Sequence, residues 1–193
     1  MVSLQPPLCD FGWKARDFDL LGVDGKRYNL SSARGKNGLL VMFICNHCPY
    51  VKSIRKRIIR DVKELQLLGI NSIAIMSNDP ADYAEDSFDN MKAVARQYDY
   101  PFPYVWDETQ QVARDYGAVC TPDFFGFNAN LELQYRGRLD ASRKEPAADA
   151  PRDLFNAMSQ VAQTGQGPRE QIASMGCSIK WRDEAQGGKQ QTA

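Results

Sequence analysis

Residues 38–69 read GLLVMFICNHCPYVKSIRKRIIRDVKELQLLG, and the change of pattern inside this stretch decides the fold. Gly38 to Cys45 is an unbroken apolar run, too short for a typical helix. A strand covered on both faces reads this way, and such strands occur in parallel sheets flanked by helices. From Pro49 the period becomes helical. Val51, Ile54, Ile58, Val62, Leu65 and Leu68 recur at three- and four-residue steps, while Lys52, Arg55, Lys56, Arg60 and Lys63 fall elsewhere on the helix. Gly69 is placed to end it. Ile70 to Met76 then reads as a second buried strand. Strand, helix and strand make a βαβ unit, expected to be parallel and right-handed.

Outward from this unit the elements are shorter. Residues 17–30 carry two apolar pieces around Asp24-Gly25, a β-hairpin signal. Ser87 to Tyr98 reads as a helix, Tyr104 to Trp106 as a strand, and Glu108 to Tyr116 as a helix closed by Gly117. Phe124 to Phe127 and Leu131 to Tyr135 flank Asn128-Ala129-Asn130 as a second hairpin, and Asp153 to Ala162 is a last helix. Gly137 to Pro151 has no period, and a loop that long is usually functional or mobile. Residues 1–182 are expected to form one domain, with SIKW (178–181) docking the chain's end and Trp181 buried. Residues 183–193, polar and rich in Gly and Gln, are expected to be a disordered tail.

Composition narrows the function. Lys plus Arg equals Asp plus Glu at 24 each, so there is no electrostatic case for nucleic acid or an anionic membrane as partner. No run approaches the length of a membrane helix. The N-terminus lacks the basic start and apolar core of a signal peptide, and the expected location is a reducing cytoplasm. The five cysteines, 9, 45, 48, 120 and 177, are an odd set that suggests no structural disulfide framework. In a reducing compartment a Cys-x-x-Cys pair is more often catalytic or metal-binding.

Cys45-Asn46-His47-Cys48 sits where the strand hands over to the helix. Two thiols at that spacing can close a short disulfide loop, and exchange needs a thiolate. An unperturbed thiol with a pKa of about 8.5 is only ~3% ionised at pH 7, and lowering it by two units takes about 2.7 kcal/mol. A helix N-terminus supplies about 0.3–1 kcal/mol. The rest must come from amide and Cys48 hydrogen bonds, from His47 if protonated, and from the basic helix face. Cys45, at the strand end, is expected to face solvent and attack; Cys48 is expected to be the buried resolving thiol. Pro49 lacks an N–H and belongs in the first turn. With Asn46 as N-cap no bond is lost, so the helix is expected to start at Asn46 or His47. Cys120 is expected to be a buried structural thiol, and Cys177 has no assigned role.

A metal reading stays open as an alternative, that of a non-enzymatic metal-binding or scaffold domain. A tetrahedral site wants four ligands, and the sequence offers one Cys-x-x-Cys pair and one histidine, His47, already inside it. No metal ligand set is assigned.

At these residues the chain resembles the thioredoxin-like superfamily, and within it the redoxin branch that includes peroxiredoxins. The likeness spans about residues 15–165. It rests on the N-terminal hairpin, on FICNHCPYVK, and on Cys120-Thr121-Pro122 before a strand. The resemblance implies an α/β thioredoxin fold, with a central mixed β-sheet flanked by helices, an N-terminal β-hairpin and a helical insertion. It implies that Pro122 is a cis-proline facing the pair and that Thr121 pairs through its backbone with a bound substrate chain. It also implies that Asn46 and His47, where thioredoxins have Gly-Pro, make the thiolate more stable and the couple more oxidising.

Two departures matter. Peroxiredoxins carry Thr or Ser three residues before the peroxidatic cysteine and Pro before that. Cys45 and Val41 stand there instead, so peroxidase activity is the alternative rather than the main reading. Thioredoxins place an acid on the central strand, whereas LLVMFI has none, and Asp79 is the candidate proton acceptor. The expected function is thiol–disulfide exchange between a protein or small-molecule disulfide and a thiol reductant, with no dissociable cofactor. The protein is expected to act as a monomer or weak homodimer.

Overall fold

The computed structural model describes residues 3–182; the tail expected over 183–193 lies outside them. In chain order the first half comprises β1 (Ser3–Leu4), β2 (Leu20–Gly22), β3 (Arg27–Tyr28), α1 (Leu30–Ala33), β4 (Gly38–Phe43), α2 (Pro49–Leu67) and β5 (Ile70–Met76). A 3₁₀ turn (Ala84–Asp86) leads into α3 (Phe88–Gln97), β6 (Tyr104–Trp106), α4 (Gln111–Tyr116), β7 (Cys120–Thr121), β8 (Asp123–Asn128), β9 (Leu133–Tyr135), α5 (Asp153–Thr164) and β10 (Gly176–Ser178).

The main sheet has seven strands in the order β3-β2-β6-β5-β4-β8-β9. β4 and β5 run parallel from Gly38↔Ile70 to Phe43↔Ile75, as the βαβ pattern requires, and β6 continues the parallel set. β2, β8 and β9 join antiparallel, so the sheet is mixed. Alternate residues of β4 serve two cores. Leu40 and Met42, with Ile44 just past the strand end, pack with the stripes of α2 and α5, while Leu39, Val41 and Phe43 pack with α1 and α4. Full burial of such a side chain contributes about 1.5–3 kcal/mol, which is why this strand can dispense with polar residues. No helix among the described residues is long and apolar enough to cross a membrane.

Four details differ from the sequence expectation. Arg55 is buried, with its guanidinium 4.5 Å from the centre of the Tyr98 ring, so the basic side of α2 is not uniformly solvated. The helix expected from Glu108 starts at Gln111, because Asp107 is buried as an acceptor for the Ala113 amide (2.9 Å) and the Ser77 hydroxyl (2.9 Å). Trp181 is 39% exposed rather than buried, stacked under Arg114. The stretch 137–151 is irregular but fastened to α2, where Arg57 reaches Asp140 at 2.7 Å and also the Ser142 hydroxyl and the Ala147 carbonyl.

At the start of β8, Asp123 is fully buried against Arg136 at 3.0 Å. Burial pushes its carboxyl up to about 6, and Arg136 opposes that rise. Arg136→Met leaves the carboxylate without its counter-charge, an expected loss of about 3 kcal/mol at pH 8. A carboxyl raised in the native state stabilises below its unfolded pKa and loses that contribution as pH rises through about 6. The loss in Arg136→Met therefore shrinks at pH 5, where Asp123 carries a proton. Urea titrations at the two pH values check this, and an equal loss at both counts against it.

Candidate active site

Cys48 is the N-cap of α2, and Pro49 occupies the first helical position. The helix therefore begins two to three residues later than the expected start at Asn46 or His47. Proline at this position loses no bond, and the first intrahelical bond runs from the Lys52 amide to the Cys48 carbonyl at 3.0 Å. Asn46 cannot cap because its groups are engaged elsewhere. Its amide donates to Asp86 Oδ1 (2.8 Å), its side-chain nitrogen to the Glu85 carbonyl (2.7 Å), and its side-chain oxygen accepts from the Tyr104 hydroxyl (3.1 Å).

The organising residue of this turn is Asp86, which the sequence reading did not single out. It is completely buried. Oδ1 accepts the Asn46 and His47 amides at 2.8 and 3.2 Å; Oδ2 accepts from His47 Nδ1 at 2.6 Å and Asn78 Nδ2 at 2.8 Å. Burial pushes the carboxyl up, but the donors from His47, Asn78 and Asn46 outweigh it and hold the group below the ordinary carboxylate range.

An ionised carboxylate only accepts, so His47 Nδ1 carries the hydrogen in this network. The imidazole stacks on Tyr83 with ring centres 3.9 Å apart. Nδ1 lies 3.7 Å from the Cys45 sulfur, yet its hydrogen belongs to Asp86. His47 thus braces the turn rather than donating to the thiols as the sequence suggested.

The thiols are covered, Cys45 being 1% and Cys48 0% exposed, so Cys45 does not face solvent as expected. They are unbridged and within hydrogen-bonding reach of each other. The Thr121–Pro122 peptide is cis. Thr121 meets both sulfurs, its hydroxyl 3.2 Å from Cys45 and its carbonyl 3.1 Å from Cys48. Cys48 also touches a sulfur from far along the chain, Cys177 Sγ at 2.8 Å.

The two thiols are pushed in opposite directions. Donation by the Cys177 and Cys45 thiols favours the Cys48 anion, burial opposes it, and the Val51 and Cys177 amides add to the stabilisation. Burial pushes the Cys45 thiol up, reinforced by its hydrogen bond to Cys48 and by the Asp86 charge. The Thr121 carbonyl, 3.1 Å from Cys48, in turn accepts from that thiol when it carries its proton. Cys120 is buried with its sulfur 3.6 Å from the Pro122 carbonyl, and burial pushes its thiol up.

Two further expectations are corrected. The backbone edge at Thr121 is not open: β10 pairs with it antiparallel, Cys177↔Thr121 and Ser178↔Cys120, and β1 flanks β10 on the other side. Asp79 caps the Ala81 amide at 3.2 Å and lies 3.8 Å from Arg182, while Asp86 is the carboxylate that meets the motif. Cys45, His47 and Asp86 each bring one potential metal-ligating atom to within 4.8 Å of the others. That is three donors where a tetrahedral ion wants four, and two of them are hydrogen-bonded together.

A model of the AhpC/TSA family matches residues 11–138, a span holding the hairpin, the pair and the cis-proline. The chain belongs to the AhpC/TSA family. Members of the AhpC/TSA family are thiol oxidoreductases or peroxidases, which gives this chain a thiol-based redox function. The expected likeness to the redoxin branch agrees with this membership.

Among solved structures, an uncharacterized conserved protein from Geobacillus kaustophilus is 40% identical, with a TM-score of 0.87, over 94% of this chain and 97% of that one. A hypothetical protein from Sinorhizobium meliloti is 35% identical, with a TM-score of 0.87, over 92% and 98%. The thioredoxin domain of a thiol-disulfide oxidoreductase from Bacteroides vulgatus is 15% identical, with a TM-score of 0.60, over 79% and 97%, and shares the fold. No match was found among curated proteins.

Proposed function

We propose that the protein is a thiol–disulfide oxidoreductase whose working pair is Cys45 and Cys48. The observation that carries this reading is the placement of two thiols between β4 and α2, both in contact with Thr121 of the cis Thr121–Pro122 pair. Cys45 as attacking thiol and Cys48 as resolving thiol give a definite sequence. Cys45 gives up its proton to the departing group as it attacks a substrate disulfide, and one half of the substrate leaves as a thiol. Cys48 then gives up its own proton to solvent and attacks the Cys45 sulfur of the mixed disulfide. The second substrate thiolate departs and a Cys45–Cys48 disulfide remains. A thiol reductant returns two electrons to restore the pair.

Substrate size follows from β10. An extended protein chain that pairs at Thr121 must displace this strand entirely, whereas a small disulfide needs only enough opening to reach the covered sulfurs. The expected result with an aromatic disulfide is a stable adduct on Cys45 in Cys48→Ser, located by peptide mapping, and complete release of both halves by the wild type. If the wild type reacts while Cys45 of Cys48→Ser stays unmodified, Cys45 is not the attacking thiol.

The same closure favours a second reading, reduction of a small hydroperoxide with the Cys48 anion oxidised first to a sulfenic acid. A peroxide consumption rate that exceeds disulfide turnover with the same reductant, and is abolished in Cys48→Ser, selects this second reading.

A further inference from the structure

We propose that Cys177 is a third redox thiol of this site, exchanging a disulfide with Cys48. The inference rests on the reading of Cys45 and Cys48 as the working pair and extends it beyond the span matched by the family model, since residues 11–138 end well before β10.

The placement of Cys177 is built, not incidental. β10 is held on both sides, by β1 and by β7, with Cys177 in register with Thr121. Its neighbour Gly176 lies so close to the cis-proline segment that a Cβ there would sit 2.1 Å from the Thr121 carbonyl oxygen. Downstream, the Lys180 amide donates to Asn78 Oδ1 (2.9 Å), the Lys180 carbonyl accepts from the Asp79 amide (2.8 Å), and the Arg182 amide donates to Gln110 (2.8 Å). These contacts leave the Cys177 sulfur 2.8 Å from Cys48 Sγ. Cys48 is therefore the central sulfur of three, touching Cys45 on one side and Cys177 on the other. β10 also occupies the backbone edge that a substrate chain would use, so Cys177 stands where a substrate cysteine would be presented.

The chemistry is an internal exchange. Cys177 gives up its proton, and its thiolate attacks Cys48 Sγ of the Cys45–Cys48 disulfide. The Cys48–Cys177 bond forms, the Cys45–Cys48 bond breaks, and Cys45 leaves as a thiolate that takes up a proton. One disulfide is lost and one gained, so no outside oxidant or reductant is needed. Electrostatics favours the attack once the pair is oxidised. In the reduced site, hydrogen bonding with Cys48, burial, and the charge of Cys48 when ionised push the Cys177 thiol up, while Lys180 and Lys144 oppose them. Joining Cys48 to Cys45 removes both contributions of Cys48 and leaves burial alone against the two lysines.

Peptide mapping separates the two disulfides. Trypsin leaves Cys45 and Cys48 together in residues 37–52 and Cys177 in residues 170–180. A Cys45–Cys48 bond therefore lies within one peptide, and a Cys48–Cys177 bond joins two. The full-length Cys45→Ser variant is oxidised with diamide and mapped without reduction; Cys45→Ala serves if the serine variant does not fold. The expected major product is the joined pair 37–52 and 170–180, while Cys177→Ser gives only the internal bond in 37–52. If the position-45 variant leaves Cys48 and Cys177 alkylatable, or joins Cys48 to Cys9 or Cys120, the inference falls and the working pair stands. If instead Cys177→Ser fails to form the internal bond, the working pair falls and the exchange falls with it.

Discussion

Asp86→Ala is expected to cost about 4 kcal/mol or more and to loosen the turn that carries both thiols. The substitution strands four buried donors at once, the Asn46 and His47 amides, His47 Nδ1 and Asn78 Nδ2. Each orphaned buried donor costs about 1–3 kcal/mol, more where the lost acceptor was charged. Local relaxation and entry of water keep the total below the sum of the parts. Because the carboxyl is held below its unfolded value of 3.8, its contribution is complete above that value and fades as pH falls through the lower native one. The gap between wild type and Asp86→Ala should therefore narrow in acid. Urea midpoints at pH 7 and pH 3 measure both the cost and its narrowing. An unchanged midpoint at pH 7 would show that Asp86 does not organise the turn.

Gly176→Ala is expected to release β10 and uncover the site. A Cβ at this position would lie 2.1 Å from the Thr121 carbonyl oxygen and 2.5 Å from its carbon, and both are backbone atoms that cannot rotate away. The strand must separate from β7, and the Cys177↔Thr121 pairing goes with it. Thiols that are 0–1% exposed become reachable. Alkylation of Cys45 and Cys48 by iodoacetamide should rise by about 100-fold, equivalent to about 2.7 kcal/mol of lost protection. The main sheet keeps its own two cores, so the far-ultraviolet spectrum should stay near that of the wild type. Alkylation at the wild-type rate in a folded variant refutes the account of β10 as the cover.

The parts of the molecule legible in the sequence are those whose information is local. The apolar run of β4 and the stripe of α2 report their own burial through their periods, and the two buried strands and the helix between them follow. The thiols at the junction are legible for the same reason. What escaped depends on partners far along the chain. Asn46 is a favoured cap by type, but it is drawn away by Asp86, 40 residues later. Asp86 itself sits in Ala84-Glu85-Asp86-Ser87, which reads as an ordinary acidic entry to a helix, and nothing local separates it from Glu85. Arg55 lies off the apolar stripe as the helical period says, yet Tyr98 covers it. β10 is three residues long and one of them is glycine, so no strand pattern marks it. Its fit becomes visible only once Thr121 and Pro122 are in place.

The separation of 129 residues between Cys48 and Cys177 has a consequence during synthesis. When the βαβ unit leaves the ribosome, the strand that shields its sulfurs has not yet been translated. At about 5–20 residues per second, the nascent chain carries an unshielded dithiol for about 6–26 s. Oxidants or metal ions meeting the growing polypeptide in that interval reach a centre that the finished molecule keeps closed.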